Sequence, residues 1–152
     1  MKNYTILFIL SLLICSCSSD DDSETTISSI ETTLIGKGSL YGGSSQGVYQ
    51  QNIVINTTAD WNNLILLFDA VNDVSSSFTE TDIDFTNFTV IVAIDEVRGN
   101  GGHDLDIEVN SDTQNIIVTV TDLIPEGNAT TVITQPYHIV KIPKNTLPVV
   151  FE

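Results

Sequence analysis

From Glu31 onward, apolar residues recur mainly at alternate positions, the period that gathers strand side chains on one face. TTLIGKGSLY (32–41) and VYQQNIVI (48–55) are two such runs, and the Gly/Ser cluster GGSSQG between them predicts a hairpin turn. The period then lengthens. Trp61, Leu64, Ile65 and Phe68 fall at i, i+3, i+4 and i+7, one apolar stripe that predicts an amphipathic helix near residues 58–71. Thr57 with Asp60 three residues on fits a capping-type start, and Trp61 reads as the anchor that packs the helix onto a sheet.

After the polar stretch NDVSSSFTETDID, TVIVAI (89–94) is apolar on both faces, as a covered central strand should be. HDLDIEV (103–109) alternates, with Leu105, Ile107 and Val109 on one face and Asp104, Asp106 and Glu108 on the other. NIIVTVTD alternates again through Ile116, Val118 and Val120. In the last run, TTVITQPYHIVKIP, Pro136 predicts a bulge, a bend or an edge position, because proline cannot donate to a strand ladder. The expected fold is α+β, predominantly antiparallel β as a sheet or sandwich, with a single packed helix. No internal repeat or second domain interrupts residues 31–152.

The first residues follow a different logic. Lys2, the apolar run Ile6 to Ile14 broken only by Ser11, and the small residues after it form the tripartite pattern of a secretory signal, expected over residues 1–16. The run is about half of the roughly 20 apolar residues a spanning helix needs. ICSC then offers two cysteines. A bacterial lipoprotein signal places a small residue at −1 and an aliphatic one at −3, and Cys17 has Ser16 and Ile14 there, whereas Cys15 follows Ile14 directly. Cys17 is therefore the expected lipidation site. A disulfide between the two is disfavoured, since i and i+2 strand side chains lie about 6.6 Å apart. A metal site is disfavoured too, because Asp20 to Asp22 are hard donors ill matched to thiolates.

Residues 17–30 read as the lipidated cysteine and an acidic Ser/Thr-rich tether without a buried face. Ser18, Ser19, Asp20, Asp21 and Asp22 resemble the surface-export signal of Bacteroidetes lipoproteins. That resemblance implies display on the outer face of the outer membrane, with the periplasmic face as the alternative. The expected partner is then the membrane, engaged through the N-terminal lipid, whose acyl chains contribute about 0.8 kcal/mol per buried methylene.

Charge narrows the partners further. A formal net charge of −15 repels nucleic-acid phosphates and anionic headgroups, so nucleic-acid binding is not expected. The reactive chemistry is sparse. Asp104, Asp106 and Glu108 are too widely spaced along a strand for Ca–O bonds of about 2.3–2.6 Å to one ion, and they read as a solvated face. His103 and His138 lack further N or S ligands for zinc, and read as a turn-exit residue and a strand histidine. The serines cluster in turns and tether without a nucleophile-elbow pattern, and GNGG is followed by neither a helix nor a P-loop lysine. No enzyme activity, metal or small-molecule cofactor is expected.

RGNGG, with the histidine after it (Arg98, Gly99, Asn100, Gly101, Gly102, His103), is the one loop of unusual shape. Its glycines permit a tight, side-chain-poor tip beside a rare positive charge. Two readings stand: a plain hairpin turn, or a loop that presents backbone to a protein partner.

DWNNL (60–64), DF (84–85), TVIVAI (89–94), GG (101–102) and PYHIVKIP (136–143) followed by PVVF occur in an order that resembles the C-terminal domain named for PrcB, a lipoprotein subunit of a bacterial surface protease complex. The likeness covers roughly residues 53–151. His103 departs from it, standing where the family pattern has tyrosine, which puts any contact through that aromatic in doubt. The resemblance implies a non-catalytic accessory or stabilising subunit of a secreted peptidase. The residues themselves give a lipid-tethered, strand-rich domain without a catalytic set; taken with the resemblance, the expected function is a surface-tethered protein-interaction module, binding through the loop or by strand addition at a sheet edge. Two alternatives accompany it. One is a peptidase inhibitor acting through hairpin loops, since GNGG is similar to the GxGG loop of chagasin-like inhibitors, whose other loop motifs are absent. The other is a glycan-binding module, for which Tyr41, Tyr49 and Tyr137 are scattered.

Overall fold

Strand alternation becomes layering in the computed structural model, which describes residues 26–127 and 130–152. The signal (1–16), Cys17 and the export residues Ser18, Ser19, Asp20, Asp21 and Asp22 lie outside the described residues. The elements are β1 (Ser28–Ser29), β2 (Thr33–Leu40), β3 (Gln51–Ile55), α1 (Thr58–Phe68), β4 (Phe88–Ile94), β5 (Asp104–Ser111), β6 (Ile116–Leu123), β7 (Gln135–Pro143) and β8 (Val149–Phe151). An inner sheet runs β2-β7-β4-β3 and an outer sheet β1-β5-β6-β8; all pairs are antiparallel except β6–β8. The fold is thus α+β and predominantly antiparallel, with α1 packed on the strands.

The inner sheet is covered on both faces, which is why β4 is apolar at successive positions. Val90, Val92 and Ile94 meet Trp61, Leu64 and Phe68 on the helix side. Ile91 and Ala93 meet Leu105, Ile107 and Val109 of β5 on the other. Three layers result: helix, inner sheet, outer sheet. The alternation expected for β5 survives intact, its apolar residues buried and its acidic ones turned away. Lys37 ties down two of those acids, reaching Asp104 at 3.2 Å and Asp106 at 3.6 Å.

The helix begins as expected. Thr57 Oγ1 accepts from the Asp60 N–H and donates to Asp60 Oδ2 at 2.7 Å. It ends at Phe68 rather than near 71. There the Gln46 side-chain amide donates to the Leu67 and Phe68 carbonyls, both at 2.8 Å, supplying a donor to Phe68 and adding to the 3.4 Å bond that Ala70 N–H makes to Leu67. Asp69 then accepts from the Val74 and Ser75 N–H groups and turns the chain away.

Four sequence expectations are corrected. GGSSQG is not a hairpin turn: β2 and β3 occupy opposite edges of the inner sheet, and Gly43–Gln46 form a 3₁₀ turn within a crossing between them. RGNGG is not a hairpin either, since it carries the chain from β4 in one sheet to β5 in the other. Ser28 and Ser29, read as tether, pair with Ser111 and Asn110, and Ile30 donates to the Val109 carbonyl.

Pro136 is the fourth. It lies in β7, a central strand, opposite Ser39 and without a register shift; the bulge is in β2, between Leu34 and Gly36. The ladder tolerates proline because of its neighbour. Asp95 N–H donates to the Pro136 carbonyl, but proline cannot return a bond to the Asp95 carbonyl. Gln135 Nε2 does so instead, at 3.0 Å, and also donates to the Val48 carbonyl. At Gly36 in β2 the Phe78 ring fills the space of a side chain: a Cβ there would lie 2.6 Å from it.

His138 sits between the sheets, 6% exposed, with Nδ1 3.1 Å from the Leu105 carbonyl. The groups facing it are Lys37 from β2 and Asp104 and Asp106 from β5. Burial, then Lys37, lowers its pKa from 6.5, outweighing the opposing pull of Asp106, the Leu105 carbonyl and Asp104. The unfolded chain therefore takes up a proton near pH 6.5 that the fold refuses. Its contribution to stability is complete above that pH and is lost as pH falls from there through the lower folded-state value. A His138→Gln variant should lack this component. The difference in unfolding free energy between wild type and variant, by urea titration from pH 7.5 to 5, should shrink or reverse as pH falls; a constant difference would mean that His138 titrates alike in both states.

Candidate functional site

Sheet edges expose unpaired N–H and C=O groups, so a bare edge is either protected or used. Three of the four edges here are protected. β1 spans two residues and β8 three. β2 is bulged, and Thr79 covers it, its N–H bonding the Ile35 carbonyl and its hydroxyl the Leu34 carbonyl, both at 2.8 Å. β3 differs. Its five residues pair with β4 on one side, and among the described residues no backbone group bonds it on the other.

Two depressions flank this edge and share Gln51. One is an apolar groove of about 270 Å³ between β3 and α1, lined by Ile53, Val54, Ile55, Leu64 and Leu67 with Asp60 and Asn63 at its rim. It exists because α1 buries Trp61, Leu64 and Phe68 against the sheet while Leu67, one step round the helix, stays 44% exposed. The other is a polar cleft of about 440 Å³ that opens between the two sheets, with Gln50, Gln51 and Asn52 on one wall and Asp95, Arg98, Asp122 and Glu152 among the rest.

Arg98 organises the cleft. Its guanidinium reaches Asp95 at 2.8 Å, Glu96 at 3.0 Å and Asp122 at 3.0 Å, and the Asp95 hydrogen bond is the first cause that holds its pKa above the ordinary value. The Asp95 side chain is 4% exposed; its other oxygen accepts the Glu96 N–H at 2.7 Å. The positive charge is thus held within the domain by three carboxylates.

The rest of the loop is likewise packed inward. Arg98 exchanges backbone hydrogen bonds with Thr134, Gly101 N–H donates to the Thr130 carbonyl, and Gly101 is buried. Gly102 adopts φ of 91°, the positive φ that its residue type permits. The Asn100 carbonyl accepts from the Thr134 hydroxyl, and His103, its side chain 10% exposed, lies 3.8 Å from Asp122. Only Gly99 and Gly102 are exposed. The structure therefore brings Arg98 to the cleft and leaves a small exposed tip on the loop. The sequence pattern points to strand addition without marking β3, Asp95, Asp122 or Glu152 as its site. The run DEVR (95–98) does carry a signal, an arginine three residues after an aspartate.

Among the described residues, no three His, Cys, Asp or Glu side chains gather as a metal site, and no helix is long and apolar enough to cross a membrane. The DF step has a local role: Asp84 accepts the Thr86 N–H and the Asn87 amide, bonds that lower its pKa, while Phe85 packs half-buried on the helix-side core.

The class that fold and site define is a three-layer α+β domain in which, among the described residues, the β3 edge is unpaired between a polar cleft and an apolar groove. No protein-family model, curated protein or solved structure matches the chain.

Proposed function

We propose that this protein is a lipid-anchored, non-catalytic interaction module, held by Cys17 in the outer membrane, facing the cell exterior, and serving as an accessory or stabilising subunit of a secreted peptidase. The anchor and the address rest on Ile14, Ser16 and the run Ser18 to Asp22; the peptidase assignment rests on the motif order that resembles the PrcB-type domain. The observation that carries the interaction reading is the bare edge of β3, since the domain protects its other edges and leaves this one beside two recesses. Strand addition uses such an edge directly: main-chain bonds supply affinity, and flanking pockets select side chains. The inward packing of RGNGG favours this edge over the loop as the contact surface.

Two measurements test the proposal. Cys17→Ala should shift the chain from the membrane fraction to the soluble fraction and abolish palmitate labelling; retention in the membrane would refute the anchor. A photo-crosslinking residue at Asn52 or Asn63 in intact cells should give a discrete adduct containing a peptidase or its partner subunit, and the same probe at Glu108 should not. Adducts of equal yield from Glu108, or none from β3 and α1, would refute the contact surface.

A further inference from the structure

The partner's chemistry can be read from the charge around β3. Among the described residues every cation is already engaged: Lys37 with Asp104 and Asp106, Arg98 with three carboxylates, Lys141 with Glu80, and Lys144 with the Asn56 side-chain oxygen. Of the cleft carboxylates, Asp95 and Asp122 already share the one Arg98 guanidinium with Glu96, Glu152 also lines the cleft, and Asp60 adds a carboxylate at the groove. Glu152 makes backbone bonds to β6, and its exposed side chain has no cationic partner among the described residues. A second copy of a chain with a net charge of −15 would bring like charge to like charge along this edge, as would the acidic stretch 18–24. A basic segment would not.

We propose that β3 accepts an extended, basic segment of a partner protein as a fifth strand of the inner sheet. The segment places an apolar side chain between Ile53, Leu64 and Leu67 on the helix side of the sheet and a Lys or Arg side chain in the cleft near Asp122 and Glu152. This rests on β3 being the contact edge, as proposed above, and adds the sign and pattern of the occupant. Alternation follows from strand geometry: neighbouring side chains of the added strand point to opposite faces, so apolar and basic residues can serve the groove and the cleft from one segment.

The test uses the full-length chain in detergent and peptides of about ten residues, enough to exceed β3 at both ends. One alternates Lys with Val, one alternates Glu with Val, and a third is the Lys/Val peptide N-methylated at every second amide. The Lys/Val peptide should bind at least about tenfold more tightly than the Glu/Val peptide, and weaken severalfold between about 0.05 and 0.5 M salt. It should slow amide hydrogen exchange in residues 51–55, and its N-methylated form should not. Glu152→Lys should weaken it by about tenfold, since one attraction becomes a repulsion near the surface. Binding that survives N-methylation, or protects amides elsewhere, would mean that the peptide merely coats an acidic surface, and the proposal fails. It fails also if the Glu/Val peptide protects residues 51–55 equally well. Adducts from Asn52 in cells that map to a neutral or acidic strand would overturn the basic occupant while leaving the β3 interface standing; absence of those adducts would overturn the interface itself.

Discussion

Arg98→Met is expected to lower the unfolding free energy by about 3 kcal/mol, the low end of what removing one member of a buried ion pair costs. The reason is the residue left behind. Asp95 is 4% exposed in its side chain, and its Oδ2 accepts the Arg98 Nε–H at 2.8 Å and lies 2.8 Å from Nη2. Without Arg98 it keeps only the Glu96 N–H and a 3.4 Å contact from Gln50, too little to offset a desolvated carboxylate. Arg98→Lys should recover part of the loss, because one ammonium can serve Asp95 but cannot span Glu96 and Asp122 as the fork does. The decisive comparison is the double variant Asp95→Asn/Arg98→Met, which removes the orphaned charge and should be more stable than Arg98→Met alone. Urea unfolding at pH 7 measures all of these. A loss under about 1 kcal/mol for Arg98→Met would show that Asp95 is solvated through the cleft and that the cluster is an ordinary surface network.

That cluster is completed by long-range pairing, which the local pattern of the chain does not encode. Periodicity assigns faces, and it placed the buried sides of β4, β5 and β6 and the stripe of α1 correctly, because each depends only on neighbours along the chain. Pairing is a different kind of information. The crossing from β2 to β3 and the step from β4 to β5 between sheets both resemble hairpins locally, since Gly and Ser allow a turn without specifying what it joins. Long-range polar substitutions were hidden for the same reason. Gln46 completing the end of α1 and Gln135 standing in for the missing N–H of Pro136 are partners across 21 and 40 positions. Arg98 looked available because Asp122, 24 residues on, comes beside it only after both sheets form. The bare edge of β3 was invisible likewise: an edge is defined by the strand that is not there.

Trp61→Ala is expected to cost about 3–5 kcal/mol, a large part of the roughly 5–15 kcal/mol that stabilises a domain. Trp61 is 1% exposed, its indole N–H donates to the Thr81 carbonyl at 2.8 Å, and its ring lies 6.1 Å from that of Phe78. It thus joins α1 to the segment that covers β2 as well as to the inner sheet. Trp61→Phe keeps most of the apolar volume but leaves the Thr81 carbonyl without its donor, so it should cost less, about 1–3 kcal/mol. As the only tryptophan is removed, circular dichroism rather than fluorescence must follow unfolding. The damage should also be uneven. The inner sheet separates the helix-side core from the one shared with the outer sheet, so hydrogen exchange in Trp61→Ala should quicken in residues 58–88 before it does in β5 and β6. Uniform acceleration would mean that the two cores unfold as one unit. With α1 loosened, Leu64 and Leu67 no longer hold one wall of the groove, whereas the Arg98 cleft stands on the sheets. Peptide binding in Trp61→Ala should therefore lose its dependence on the apolar residue of the added strand while keeping its dependence on charge.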